Sequence, residues 1–139
     1  MKTQILKLAT HGQSFGYVTV NDDSSGVFYG NGHITNAAKF ELTPCARDEQ
    51  AFYYKLVGSS SSYMDFSLAS KVVKITRSKS PEASNICAWK MLNGALCAII
   101  PGTSVFKALS RSTFKHGSNV LFATSPCDQD FCKISIITH

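Results

Sequence analysis

No apolar run in this 139-residue chain approaches the roughly 20 residues needed to cross a bilayer as a helix. The longest uninterrupted stretches, such as Ala95 to Ile100, have the length of a strand, so no membrane insertion is expected. Charge is scarce as well. Asp, Glu, Lys and Arg make up 17% of the residues, below the roughly 25% usual for globular domains. The opening Met1-Lys2-Thr3-Gln4-Ile5-Leu6-Lys7-Leu8 has no apolar h-region, so no signal peptide is read there. The expected location is cytoplasmic, or secreted after removal of a signal. Signatures of catalysis are missing too. The four histidines, His11, His33, His116 and His139, form no His-x3-His pair. There is no Gly-x-Ser-x-Gly elbow, no P-loop and no dinucleotide fingerprint. Gly30-Asn31-Gly32 lacks the third glycine and the following helix, and reads as turn chemistry. A ribonuclease-like use of His33 with Glu41 would suit a basic protein, but nothing in the sequence draws the two into one cleft. These absences predict a non-enzymatic protein that carries no cofactor.

Cysteine is present in an odd number, five, so at least one thiol stays unpaired within the chain. Cys127 and Cys132 bracket Asp-Gln-Asp-Phe and can close a small disulfide ring in an exported protein. Cys87 and Cys97 flank the turn-like Met91-Leu92-Asn93-Gly94 and can bridge a hairpin. Any of the five, Cys45 included, can equally be a plain buried thiol. Cys127-x4-Cys132 has no second pair with ligand spacing, so no metal site is expected.

The net charge of +5 is unevenly placed. Residues 1–46 carry three basic and three acidic side chains, residues 47–93 seven and four, and residues 94–139 four and two. The basic excess peaks between Lys71 and Lys79. Such a cluster suits phosphate, sulfate or an acidic protein surface, or serves as a charged strand edge that discourages unwanted pairing. It lacks the interleaved aromatics that single-stranded nucleic acid requires, which disfavours that partner.

What the chain does have is 44% hydrophobic residues, enough to exclude wholesale disorder, arranged in short runs of period two. Tyr17-Val18-Thr19-Val20 is β-branched and aromatic, Asn21 to Gly26 is a turn, and Val27-Phe28-Tyr29 is the returning strand. Further strands are expected at Gln4–Leu8, Lys39–Thr43, Phe52–Val57, Tyr63–Leu68, Lys71–Thr76, Cys87–Leu92, Ala95–Ile100, Ser104–Leu109, Asn119–Ala123 and Lys133–Ile137. The best helical stretch, Thr103–Arg111, can equally be a strand. About a dozen short strands separated by turns indicate an all-β sandwich or barrel.

The strands also repeat. Three segments superpose, ending at Leu42, Met91 and Ile136, that is, at intervals of 49 and 45 residues. Gly16-Tyr17-Val18-Thr19-Val20, then Gly26-Val27-Phe28-Tyr29, then Ala38-Lys39-Phe40-Glu41-Leu42 resembles a β-trefoil repeat of the fascin-like and lectin-like kind. The second copy keeps an aromatic terminus at Trp89, and in the third Ile134 or Ile136 takes that place. The Gln-x-Trp signature of ricin-type sugar sites is absent, since Cys87-Ala88 precedes Trp89. Cys127-Asp128-Gln129-Asp130-Phe131-Cys132 resembles a disulfide loop of Kunitz-type trefoil inhibitors.

The resemblance implies one domain, a β-trefoil of about twelve strands in three pseudo-repeats over residues 1–46, 47–93 and 94–139. The alternative is a β-sandwich or another small β-barrel. Three four-stranded units can bury together the apolar faces that none buries alone. The expected core is Leu6, Leu8, Val18, Phe28, Phe40, Leu42, Tyr54, Leu56, Phe66, Val73, Ile75, Trp89, Met91, Ile99, Phe106, Leu121, Phe122, Ile134 and Ile136.

Function is expected in loops carried by such a scaffold. Sugar recognition needs an aromatic face for the apolar side of a pyranose and Asp, Asn or His for its hydroxyls. The first repeat offers Asp22, Asp23, Tyr29, Asn31, His33 and Asn36, so the leading expectation is a carbohydrate-binding protein whose partner is a glycan or glycoprotein. Protease inhibition is the alternative. It requires one rigid protruding loop, and Arg77-Ser78-Lys79-Ser80-Pro81 is stiffened by its proline, with Arg77 or Lys79 suited to a trypsin-like pocket. Gly58–Ser62 and Asp128–Phe131 are other such loops. An actin- or protein-binding module is the third expectation.

Overall fold

Twelve strands build one antiparallel sheet in the computed structural model, which describes residues 3–10, 13–20, 26–66, 69, 72–92, 94–101, 106–111, 121–124 and 133–138. They are β1 (Thr3–Thr10), β2 (Gln13–Val20), β3 (Phe28–Gly32), β4 (Phe40–Cys45), β5 (Asp48–Leu56), β6 (Ser62–Phe66), β7 (Val73–Arg77), β8 (Ala88–Leu92), β9 (Ala95–Ile99), β10 (Phe106–Arg111), β11 (Leu121–Thr124) and β12 (Lys133–Thr138). A single 3-10 turn, Ile34–Asn36, is the helical element among the described residues. The strands lie where β-branched and aromatic residues alternate with polar ones, each within a few residues of its expected place. The all-β class is thus observed, and the stretch with helical potential runs as strand over Phe106–Arg111.

Hydrogen bonding proceeds in the order β11-β10-β9-β8-β5-β4-β1-β2-β3, with β12 on the free flank of β1 and the β6–β7 hairpin on β5. The sheet curls until β9 comes against β12. Strands β1, β4, β5, β8, β9 and β12 therefore follow one another around the curl. The hairpins β2–β3, β6–β7 and β10–β11 extend from it, and β3, β7 and β11 touch one another. Gly26 joins two of the hairpins. It takes a left-handed φ of +61° immediately before β3, a conformation open to glycine, and its carbonyl accepts the Ile75 N–H of β7 at 2.9 Å.

The main core lies within the curl: Leu6, Leu8, Val18, Phe28, Phe40, Tyr54, Met64, Phe66, Val73, Trp89, Leu96, Leu109 and Leu121 are all buried there. Phe28, Phe40 and Tyr54 stack in series, with centroid separations of 5.9 and 5.5 Å, the spacing aromatic pairs favour. Trp89 is fully enclosed, and its indole N–H donates to the Met64 carbonyl at 2.9 Å, so its one polar atom is satisfied.

A strand's neighbouring residues point to opposite faces, and here both faces of several strands are covered. On β5, Tyr54 enters the main core while Tyr53 enters a second cluster with Cys45, Ala51, Tyr63, Ile86 and Ala88. On β9, Leu96 and Ala98 face the main core, whereas Ala95 and Cys97 join Ala108 in a third.

This two-sided burial corrects the expected core. Ile99 and Phe106 are half-buried against the second and third clusters, outside the main one. Met91 is 36% exposed. It lies one residue before the end of β8, opposite Leu96 of β9. Leu42, Leu56 and Ile75 pack at the margin of the main core. The side chains of Phe122, Ile134 and Ile136 lie outside the described residues.

The Cys87–Cys97 bridge is also corrected. The β8–β9 register sets Lys90 opposite Cys97 and Ala88 opposite Ile99, so Cys87 and Cys97 do not face each other. The Cys87 thiol donates instead to the Phe66 carbonyl at 3.5 Å. Cys127 and Cys132, with their expected ring, lie outside the described residues. No helix among the described residues is long and apolar enough to cross a membrane.

Candidate functional site

The β2–β3 hairpin and the turn after it form an open depression. At the end of β3, Gly32 packs flat on β2. A Cβ at that position would run into the Thr19 methyl and lie 2.9 Å from the Tyr17 carbonyl, so only glycine permits this close approach. The chain then turns through Ile34–Asn36. His33 caps this turn, its Nδ1 lying 3.4 Å from the Thr35 N–H and 3.1 Å from the Thr35 hydroxyl. A backbone N–H can only donate, so Nδ1 is the accepting nitrogen and the neutral ring carries its proton on Nε2. Ala38 N–H then donates to the Val18 carbonyl at 2.8 Å, returning the chain to β2, and Val57 N–H donates to the Lys39 carbonyl at 3.0 Å, tying in the end of β5.

These ties enclose an open groove of about 880 Å³, lined by Thr19, Val20, Tyr29, Gly32, His33, Asn36, Ala37, Ala38, Lys39, Leu56 and Val57. His33, Asn36, Lys39 and Val57 are exposed at its margin, while Thr19, Val20, Tyr29, Ala37 and Leu56 are half-buried below them. Ile34 at 48% and Val57 at 41% are two of the three large apolar side chains exposed among the described residues, and both sit at this place. The lining therefore combines apolar side chains with hydroxyl, amide, imidazole and ammonium groups.

Of the residues expected from sequence to meet a sugar, Tyr29, His33 and Asn36 come together in the groove. Asn31 is on β3 with its side chain outside the described residues, and Asp22 and Asp23 are outside them altogether. Thr19, Lys39, Leu56 and Val57 were not foreseen. Lys39 precedes a core phenylalanine and carried no signal of its own, and Leu56 and Val57 arrive from the end of β5 through the β4–β5 pairing. Glu41 does not join His33: it pairs with Lys55 across that same ladder at 3.7 Å.

Arg77, Ser78 and Lys79 lie elsewhere, where β7 ends. Arg77 and Lys79 are exposed. The loop after them is braced by serines: Ser78 Oγ donates to the Ser80 carbonyl at 2.8 Å, accepts from Ser80 N–H at 3.1 Å and meets Ser84 Oγ. Fully buried Ile86 anchors the far end, its N–H on the Pro81 carbonyl at 3.0 Å.

A third group surrounds Cys45, whose thiol lies 3.7 Å from the Tyr53 hydroxyl. Burial raises the thiol pKa, but hydrogen bonds from the Arg47 backbone, from Tyr53 and from the Arg47 guanidinium outweigh it, so the pKa falls below its ordinary value. Burial, with the Asp65 carboxylate adding to it, pushes the Cys87 thiol up to about 12. Among the described residues no three His, Cys, Asp or Glu side chains are grouped to hold a metal. No protein-family model, curated protein or solved structure matches the chain.

Proposed function

We propose that this chain is a β-trefoil whose first repeat carries a carbohydrate-binding groove, and that it acts by binding, not by catalysis. The fold reading is supported by the strand order. The six strands β1, β4, β5, β8, β9 and β12 around the curl and the three hairpins beside it are the pairings that three four-stranded repeats, 1–46, 47–93 and 94–139, call for. The functional reading is carried by one observation: Tyr29, His33 and Asn36 line a common groove with apolar Val20, Leu56 and Val57. A lining of both apolar and polar groups suits a pyranose, which has a C–H face and a fringe of hydroxyls, and pockets of this size accommodate small ligands. A glycan array probed with the purified chain at high concentration tests it. Binding to a defined glycan set, lost in Tyr29→Ala, is expected, and a silent array overturns the reading.

A second reading, protease inhibition, is favoured by the serine-braced loop, because an inhibitor gains affinity from a loop already rigid before it binds. Stoichiometric inhibition of a trypsin-like protease, lost in Lys79→Ala, supports it; no inhibition across a panel of serine and cysteine proteases removes it.

A further inference from the structure

We infer that the ligand of the groove is an anionic saccharide whose carboxylate or sulfate is held by Lys39, an inference that rests on the carbohydrate reading of the same groove. Among the described residues the lining contains no Asp or Glu. Its polar groups lean heavily towards donation: the Lys39 ammonium has three donors and no acceptor, and the His33 Nε2–H is a donor because Nδ1 is committed to the turn. Asn36, Thr19 and Tyr29 both donate and accept. A neutral sugar presents hydroxyl protons as well as lone pairs, and a site shaped for it alone would supply acceptor-only carboxylates. The described lining supplies the opposite.

Charge points the same way. Glu41, the nearest acidic residue in sequence, is taken by Lys55 on β5, and Lys39 makes no ion pair among the described residues. An unpaired ammonium beside a half-apolar wall favours a ligand oxyanion, since charge-assisted hydrogen bonds are about twice as strong as neutral ones. The ring of the same sugar then covers Val20, Leu56 and Val57.

The test uses an array of oligosaccharides in matched neutral, sialylated, uronate-containing and sulfated forms, followed by calorimetric titration of the best acidic member, its neutral parent and sodium sulfate. The acidic glycan should bind about tenfold more tightly than its parent, and raising the salt should erode that advantage. Lys39→Gln should remove most of the preference, whereas Lys74→Gln, which deletes an equal charge outside the groove, should keep it. Trp89 emission checks that each variant is folded, and the salt dependence of the unmutated chain tests the inference without any variant. Equal or tighter binding of the neutral parent overturns the anionic ligand but leaves the carbohydrate reading intact. Competition by sodium sulfate at the glycan's own concentration reduces the site to one for a bare anion. A preference that survives Lys39→Gln removes Lys39 from the role, and silence across the whole array overturns the carbohydrate reading itself.

Discussion

Replacing Asp65 by alanine removes both carboxylate oxygens from a junction between β6, β7 and the segment entering β8. Oδ1 accepts the Phe66 N–H at 2.8 Å and the Cys87 N–H at 2.9 Å, and Oδ2 accepts the Thr76 hydroxyl at 2.8 Å. Hydrogen bonds to a charged group contribute about 1.5–3 kcal/mol each, and a buried donor left without a partner costs about 1–3 kcal/mol. Cys87 is buried, so its N–H has little access to water once the carboxylate is gone; Thr76 is half-exposed and rehydrates. Asp65→Ala should therefore cost about 3–5 kcal/mol, a large part of the roughly 5–15 kcal/mol that holds a domain together. Asp65→Asn should cost about 1–2 kcal/mol, because its carbonyl still accepts both N–H groups and its amide donates to the Thr76 oxygen. Thr76→Val removes only the third bond and should cost about 1 kcal/mol. Guanidinium unfolding of the three variants can be followed through Trp89, the only tryptophan, whose indole bonds to the carbonyl of Met64, next to Asp65. If Asp65→Ala unfolds within about 0.5 kcal/mol of the parent, or if Asn is as damaging as Ala, the junction does not stabilise the fold as argued.

Gly32→Ala places a methyl against Thr19 and the Tyr17 carbonyl. It should lower stability by about 1–3 kcal/mol and weaken glycan binding, and truncating Thr19 should not restore the loss because the carbonyl remains; thermal melts of the single and double variants check this. Alkylation of the native protein, mapped by peptide mass spectrometry, should modify Cys45 before Cys87, since the first thiol is held below and the second well above the ordinary value; the reverse order refutes the assignment. Burial pushes Tyr54 up to about 12, as it does Cys87. Both groups keep their protons to higher pH when folded, so their contribution is complete below the unfolded values of about 9 and 10 and is lost as pH rises towards 12. Stability should fall by about 1.4 kcal/mol per pH unit for each group across that window, and the part of the tyrosinate absorbance that Tyr54→Phe removes should appear together with unfolding. Gradual Tyr54 ionisation in a protein that stays folded would contradict its burial.

All twelve strands were legible because β-branched and aromatic runs alternate with Gly, Asn and Ser turns, a local signal that tertiary packing did not override. Core membership was less legible. Period two tells that Tyr53 and Tyr54 face opposite ways, but not that both faces of β5 are covered, so Tyr53, Ala51 and Tyr63 went unnoticed. Met91 shares its alternation with Trp89 and differs only in standing at the hairpin end. Within the groove, Tyr29, His33 and Asn36 were readable because they lie close together in the sequence, on β3 and the turn that follows it. Leu56 and Val57 were not, since they are brought there by pairing between distant segments. The Cys87–Cys97 expectation failed because a bridge depends on an exact cross-strand register, which spacing around a turn does not supply.

Adjacent tyrosines on β5 bear on how that strand finds its partners. A one-residue slip would exchange Tyr53 for Tyr54, delivering one phenol where another belongs, so these two positions alone do not resist the error; their neighbours do, because the slip sets Lys55 at the buried place of Tyr54 or Gln50 at that of Ala51. Polar contacts near the strand's beginning distinguish the two alignments: the Cys45 thiol meets Tyr53, and Lys90 of β8 reaches Asp48 at 3.0 Å. Charge and sulfur thus supplement burial in aligning this strand, and errors in its pairing should become somewhat commoner in folding at high ionic strength.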